Sequence, residues 1–125
     1  MRILVLLLIT VNLQAQTFVV IGDRTGEHRP GVFSEAMNRI NLLAPDFVVS
    51  VGDQIEGYTE DEPKIIRQWI EFDGIIRKLD MPFYRIPGNH DFTNQAMYRV
   101  WKQRYGQSYY HFQSEGSLFL CMNSE

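Results

Sequence analysis

Three short apolar runs, each followed within two residues by a glycine and then a polar residue, constrain the fold of this chain most strongly. They cover residues 18–21, 47–51 and 81–86, and the first two are built almost entirely from β-branched and aromatic residues. Continuous apolar runs of this length are typical of strands that are covered on both faces of a sheet. The chain is therefore predicted to contain at least three buried strands.

Helical patterns separate these runs. Apolar residues recur every three or four positions over 32–43, again over 65–79 after Pro63, and more weakly over 94–103. Two further strands are predicted over 108–112 and 117–121, joined as a hairpin at Glu115-Gly116. Strands that alternate with helices predict an α/β fold whose sheet is largely parallel and built from right-handed βαβ units.

Polar residues follow the ends of all three predicted strands, at Gly22-Asp23, Gly52-Asp53 and Gly88-Asn89. Parallel strands bring their carboxyl ends to one edge of the sheet, where α/β proteins bind ligands. Two carboxylates, an amide oxygen and the neighbouring His90 form a donor set that suits Mn²⁺, Fe or Zn²⁺. Asp53 follows the middle run, so we expect it to bridge two cations, an arrangement used on phosphate esters.

Gly52-Asp53 and the tetrapeptide Gly88-Asn89-His90-Asp91 resemble motifs of the calcineurin-like metallophosphoesterase family. The resemblance implies the N-terminal half of a four-layer α/β/β/α sandwich, truncated before the second half. It also implies a hydrolase that cleaves phosphate monoesters, diesters or anhydrides with two metal ions, which would be Mn, Fe or Zn.

The resemblance further implies a role for each matching residue. Asp23 would bind the first metal, and Asp53 would bridge both metals. Asn89 would bind the second metal and contact the substrate phosphate. His90 would act as the general acid toward the leaving group, and Asp91 would orient the imidazole of His90.

The sequence departs from the family pattern in two ways. Thr25 stands where the family has a metal-binding histidine, and either Thr25 or His28 could replace that ligand. The adjacent Arg24 is expected either to contact a substrate phosphate or to form an ordinary salt bridge.

The second departure is that the later histidine ligands of the family have no counterpart in this sequence. We therefore expect a partial metallophosphoesterase domain over 16–125 that is inactive when isolated. The alternative is a secreted, non-catalytic binding or scaffold module on the same fold.

The first 15 residues are predicted to be a secretory signal peptide. Arg2 precedes an apolar run over 3–9, and Ala15 provides a small residue for cleavage. The alternative is a buried N-terminal strand. The apolar run is shorter than the roughly 20 residues that span a bilayer, so no stable membrane anchor is expected. The predicted location is periplasmic or extracellular.

Charge and cysteine content exclude several classes of function. The formal net charge is -3, which argues against a nucleic-acid-binding surface. Cys121 is the single cysteine, so the chain has no internal disulfide and no cysteine-based zinc site. The expected partner is a phosphate-ester substrate, whose identity the sequence leaves open, as it does the oligomeric state.

Overall fold

The computed structural model describes residues 15–26 and 29–125. The predicted signal peptide, apart from its last residue, and the candidate ligand His28 therefore lie outside the described residues. In chain order the elements are β1 (Phe18–Ile21), α1 (Val32–Leu43), β2 (Phe47–Ser50), α2 (Glu62–Ile76), β3 (Phe83–Arg85), α3 (Asn89–Phe92), α4 (Gln95–Tyr105), β4 (Tyr110–Ser114) and β5 (Ser117–Cys121).

The first three strands form a parallel sheet in the order β1-β2-β3. Phe18 of β1 lies opposite Phe47 of β2, and Val48 of β2 lies opposite Phe83 of β3. The predicted α/β fold with a parallel sheet is thus confirmed, and β2, which precedes Asp53, is the middle strand. All three strands end at the same edge of the sheet.

Alternation along β2 separates two packing layers. Val48 is buried in the main hydrophobic core together with Met37 of α1 and Trp69 of α2. Phe47 points to the opposite face, where its ring centroid lies 5.2 Å from Phe112 and 5.0 Å from Phe119 of the hairpin. The described part of the chain therefore has three layers: helices, parallel sheet and hairpin.

Coverage of the sheet is less complete than the sequence predicted. β2 is buried over most of its length, but in β1 Phe18 is 46% exposed and Val20 is 54% exposed. The hairpin reaches β1 at Phe18, whose ring centroid lies 5.7 Å from that of Phe119, yet Phe18 and Val20 both stay about half exposed. The expectation of strands covered on both faces is correct for β2 and wrong for β1.

Local signals fix where the helices begin and end. The side chain of Asp61 caps α2 by accepting a hydrogen bond from the Lys64 N–H at 3.1 Å, and Pro63 sits in the first turn. Asn94 caps α4 in the same way through the Met97 N–H at 3.0 Å. None of the helices in the described residues is long and apolar enough to cross a membrane.

Candidate active site at the ends of the parallel strands

Asp23 and Asp53 occupy equivalent positions just beyond β1 and β2. Both have left-handed backbone conformations, with φ of 54° and 55°, which Asp tolerates better than most residues. The Asp23 N–H donates to the Gly52 carbonyl at 3.2 Å, and the Arg24 N–H donates to the Asp53 carbonyl at 3.0 Å. These two bonds hold the first two motifs side by side.

The third motif packs directly against Asp53. The His90 N–H donates to Asp53 Oδ1 at 3.1 Å. A Cβ added to Gly88 would collide with Asp53 Oδ1, and one added to Gly52 would lie 2.6 Å from both N and Cα of Gly88. The glycines before Asp53 and Asn89 are therefore required by close packing between the two loops.

Asn89 is oriented by Tyr58, which lies in the loop after β2. The Nδ2 of Asn89 donates to the Tyr58 hydroxyl oxygen at 2.8 Å. An amide that uses its nitrogen in this way keeps its oxygen, Oδ1, available as a metal or hydrogen-bond partner. Asn89 itself is exposed.

His90 is oriented by a backbone carbonyl. Its Nδ1 lies 2.8 Å from the carbonyl oxygen of Glu56. Because a carbonyl can only accept, Nδ1 carries a proton, and the second ring nitrogen, Nε2, is the atom left for chemistry. The ring of Tyr58 stands perpendicular to the imidazole, with 4.5 Å between centroids.

Asp91 does not orient the imidazole of His90, and the predicted pairing of these two side chains was wrong. Its carboxylate is fully buried and accepts three backbone hydrogen bonds, from Gln54 at 3.0 Å, Ile55 at 3.2 Å and Gly88 at 3.0 Å. The physical reason is that α3, a single helical turn, directs Asp91 back toward its own N-terminus and the neighbouring loop. Asp91 therefore connects the second motif to the third.

Burial raises the pKa of Asp91 to about 6. The three backbone N–H groups act in the opposite direction, because they stabilise the carboxylate form, and the negative charge of Asp53 adds to the increase in pKa. Desolvation thus disfavours the charged form of Asp91, while the hydrogen bonds to its carboxylate join the two loops.

Arg24 has partners other than a substrate. Its side chain is 7% exposed and forms a salt bridge with Glu71, while its Nη1 donates to the Gln54 carbonyl at 3.2 Å. The guanidinium also lies 5.3 Å from the ring centroid of Phe33 and 5.8 Å from that of Phe72. Of the two expectations for Arg24, the salt bridge is correct. The phosphate contact stays a prediction, and the buried Nε of Arg24 has no hydrogen-bond partner among the described residues.

Thr25 lies beside Arg24. The two line a cavity of about 90 Å³ together with Glu56 and Glu71. His28, the other candidate replacement for the missing histidine, lies outside the described residues. The choice between Thr25 and His28 stays a prediction.

Asp23, Asp53 and Asn89 fit a divalent cation in the type of their donors. Carboxylate and amide oxygens are the ligands that hard and borderline cations such as Mn²⁺ accept. The donors fall short in number, since no group of three His, Cys, Asp or Glu residues within 15–26 and 29–125 could hold a metal ion. These strand ends thus carry donors of a suitable type for a metal ion, and the assignment of Asp23, Asp53 and Asn89 as ligands stays a prediction.

Glu56 and Tyr58 are the site residues that sequence reasoning missed or underrated. Glu56 contributes a backbone oxygen, for which the sequence carries no side-chain signal. Tyr58 lies outside the three motifs, and sequence reasoning gave it no chemical role. The preceding Gly57 is a usable signal in retrospect, because both residues have positive φ, 58° and 46°, and so form a sharp turn.

Comparison with known proteins identifies the family. The sequence model for calcineurin-like phosphoesterases matches residues 16–123. A probable glycerophosphodiester phosphodiesterase, GpdQ, of Arcobacter nitrofigilis is 40% identical over 47 residues, which cover 38% of this chain and 15% of that relative. No solved structure matches the chain. Because the family model spans nearly all of the described residues, the chain belongs to the calcineurin-like phosphoesterase family.

Proposed function

We propose that the protein is a phosphoesterase that hydrolyses phosphate mono- or diesters, or phosphoanhydrides, at a dinuclear metal site. The observation that carries the proposal is the hydrogen bond from the His90 N–H to Asp53 Oδ1 at 3.1 Å. It joins the proposed bridging ligand to the segment that holds the proposed general acid. Asp23 lies beside them through its bond to Gly52.

Asp23, Asp53 and Asn89 are the residues that would hold the metal ions, with Asp53 as the bridge. The ions, Mn, Fe or Zn, would supply Lewis acidity toward the phosphate and an activated water for attack. The chain contributes the geometry: close packing of Gly52 and Gly88 keeps the Asp53 carboxylate in place. Asn89 keeps Oδ1 free because its Nδ2 is bonded to Tyr58.

His90 is the proposed general acid. With Nδ1–H directed at the Glu56 carbonyl, a protonated His90 carries its second proton on Nε2. As the bond between phosphorus and the leaving oxygen breaks, this proton moves to the leaving oxygen and the imidazole becomes neutral. A positioned acid of this kind contributes about 10²- to 10⁴-fold in rate.

Phosphodiesters are the preferred substrate class in this proposal, because the relative from Arcobacter nitrofigilis is named as a probable phosphodiesterase. The test assays the full-length protein and compares bis(4-nitrophenyl) phosphate with 4-nitrophenyl phosphate in the presence of Mn²⁺. We expect faster hydrolysis of the diester. Faster hydrolysis of the monoester would contradict the substrate class while leaving the phosphoesterase activity intact.

Two variants with matched controls test the site. Asp53→Asn and His90→Ala are each expected to lower turnover by about 100-fold or more. Asp80→Asn and His111→Ala change the same residue types at exposed positions, and we expect both to keep wild-type turnover. Activity that survives both Asp53→Asn and His90→Ala would refute the assigned site.

A second candidate function is a non-catalytic binding module on the same fold. It is favoured by Thr25 in place of a histidine and by the lack of a metal-binding cluster among the described residues. Elemental analysis of the purified protein distinguishes the two functions. Stoichiometric metal without turnover of either aryl phosphate favours the binding module, and metal with turnover favours the enzyme.

Export to the periplasm or the extracellular space is part of the proposal. It is supported by Arg2, the apolar run over 3–9 and Ala15. The test fuses residues 1–20 to a reporter enzyme that folds only after export. We expect reporter activity, together with its loss when Leu6 and Leu7 are both changed to Arg, and an inactive wild-type fusion would contradict export.

A further inference from the structure

The loop segment 56–58 contacts the Asn89–His90 pair through three successive residues. The Glu56 carbonyl accepts from Nδ1 of His90 at 2.8 Å. Gly57 packs so closely that an added Cβ would overlap the carbonyl group of His90. Tyr58 contacts the imidazole ring and accepts a hydrogen bond from Asn89. This segment therefore contacts both side chains, one proposed as a metal ligand and the other as the general acid.

Tyr58 adopts a backbone conformation that an aromatic residue rarely takes. Its φ is 46°, and its side chain is 58% exposed, so burial of its ring is limited. Unfavourable backbone conformations of this kind persist where surrounding contacts enforce them, and they cluster at functional sites. The Tyr58 side chain contacts Asn89 and His90.

We propose that Tyr58 is a positioning residue for both Asn89 and His90, an inference that rests on the proposed function. Its hydroxyl oxygen gives the Asn89 Nδ2 a partner, so Oδ1 can face a cation while the nitrogen of the same amide stays bonded. Its ring stands against the imidazole, which is already held at Nδ1, and restricts rotation that would turn Nε2 away. Groups that orient metal ligands from behind in this way typically change metal affinity or activity by about 10- to 100-fold when removed.

The hydroxyl is tested with Tyr58→Phe, which keeps the ring. The matched control is Tyr98→Phe, because the Tyr98 hydroxyl, on the exposed side of α4, accepts from Lys102 at 3.3 Å. Isothermal titration of the full-length protein with Mn²⁺ alone gives the affinity. We expect about 10-fold weaker Mn²⁺ binding in Tyr58→Phe and no change in Tyr98→Phe. Wild-type affinity in Tyr58→Phe would overturn the role of the hydroxyl.

The ring is tested with Tyr58→Leu in the metal-free protein. The ring protons of His90, observed by NMR, lie next to the Tyr58 ring at a centroid separation of 4.5 Å. We expect these resonances to shift in Tyr58→Leu and to stay near their wild-type positions in Tyr58→Phe, which retains an aromatic ring. Unchanged His90 resonances in Tyr58→Leu would overturn the contact. This measurement needs neither bound metal nor catalytic turnover.

Asp53→Asn in the same titration separates this inference from the proposed function. Loss of Mn²⁺ binding in Asp53→Asn with wild-type binding in Tyr58→Phe would refute the positioning role and leave the metal site standing. Wild-type binding in Asp53→Asn would refute the metal site, and the role of Tyr58 with it.

Discussion

The buried carboxylate of Asp91 accepts a hydrogen bond from the backbone N–H of Gln54 at 3.0 Å, which fastens the loop after β3 to the loop after β2. The same carboxylate binds the N–H groups of Ile55 and Gly88. Asp53 immediately precedes Gln54 in the sequence, and Asn89 immediately follows Gly88. The relative position of the proposed metal ligands therefore depends on a residue that is itself fully buried.

Removal of the Asp91 carboxylate should destabilise the protein strongly. Asp91→Ala leaves three backbone N–H groups without their acceptor, and each buried donor left unpaired costs about 1–3 kcal/mol. We expect a loss of about 3 kcal/mol or more in the free energy of unfolding, measured by urea denaturation. Asp80→Asn, at an exposed position, should change it by less than about 0.5 kcal/mol. Equal stability of Asp91→Ala and Asp80→Asn would contradict the role of Asp91.

Stability should fall as the pH rises from about 4 to 6. Burial raises the pKa of Asp91 from 3.8 to about 6. Between these values the folded protein keeps a proton that the unfolded chain has released, so the folded state binds more protons and rising pH favours unfolding. Above about pH 6 this contribution is constant.

The measurement is urea denaturation at pH 4, 5, 6 and 7 in the presence of a chelator. Asp91→Asn has no carboxyl group at this position, so the decline assigned to Asp91 should be absent from it. Asp73 titrates in a separate window. Although burial acts in the other direction, hydrogen bonds from Arg104 and Arg85 lower its pKa below 3.8. An identical decline in wild type and Asp91→Asn would show that another group causes it.

Two glycine-to-alanine changes should have opposite effects. A Cβ on Gly57 would overlap the His90 carbonyl, and its φ of 58° disfavours alanine, so Gly57→Ala should destabilise by about 2 kcal/mol or more. Gly74 lies inside α2 with no atom within 4 Å of an added Cβ. Gly74→Ala should stabilise by about 0.5–1 kcal/mol, because alanine favours the helix. Thermal unfolding of both variants measures the difference, and a shift of the same sign in both would contradict it.

Asp73 should matter for stability without affecting catalysis. Its carboxylate binds Arg85 at 3.0 Å, Arg104 at 2.7 Å and the Tyr105 hydroxyl at 2.9 Å, which joins α2 to β3 and α4. Asp73→Ala should lower the free energy of unfolding by about 2–3 kcal/mol, because three donors lose a partly buried partner. Turnover per folded molecule should stay at the wild-type value. A fall in turnover at a temperature where the variant is folded would show that this cluster supports the site.

Much of the fold could be predicted because its determinants are local. The periodicity of 32–43 gives α1 with the predicted limits, and Ser117–Cys121 is the predicted strand. The other predicted elements are present with limits shifted by a few residues. The one-turn helix α3 was not predicted, because it has no apolar period and depends on the contact of Asp91 with Gly88.

The sequence alone determined which residues meet at the sheet edge, because parallel strands of similar length must end together and each strand end carries its own Gly-Asp or Gly-Asn pair. Only the tertiary structure decided how these residues are held. Asp91 accepts hydrogen bonds from backbone groups of another loop, and the Glu56 carbonyl accepts one from His90. Arg24 forms a salt bridge with Glu71 on α2. Such pairings join residues that lie more than 30 positions apart, and they depend on the exact path of each loop, which no local pattern of residue types encodes.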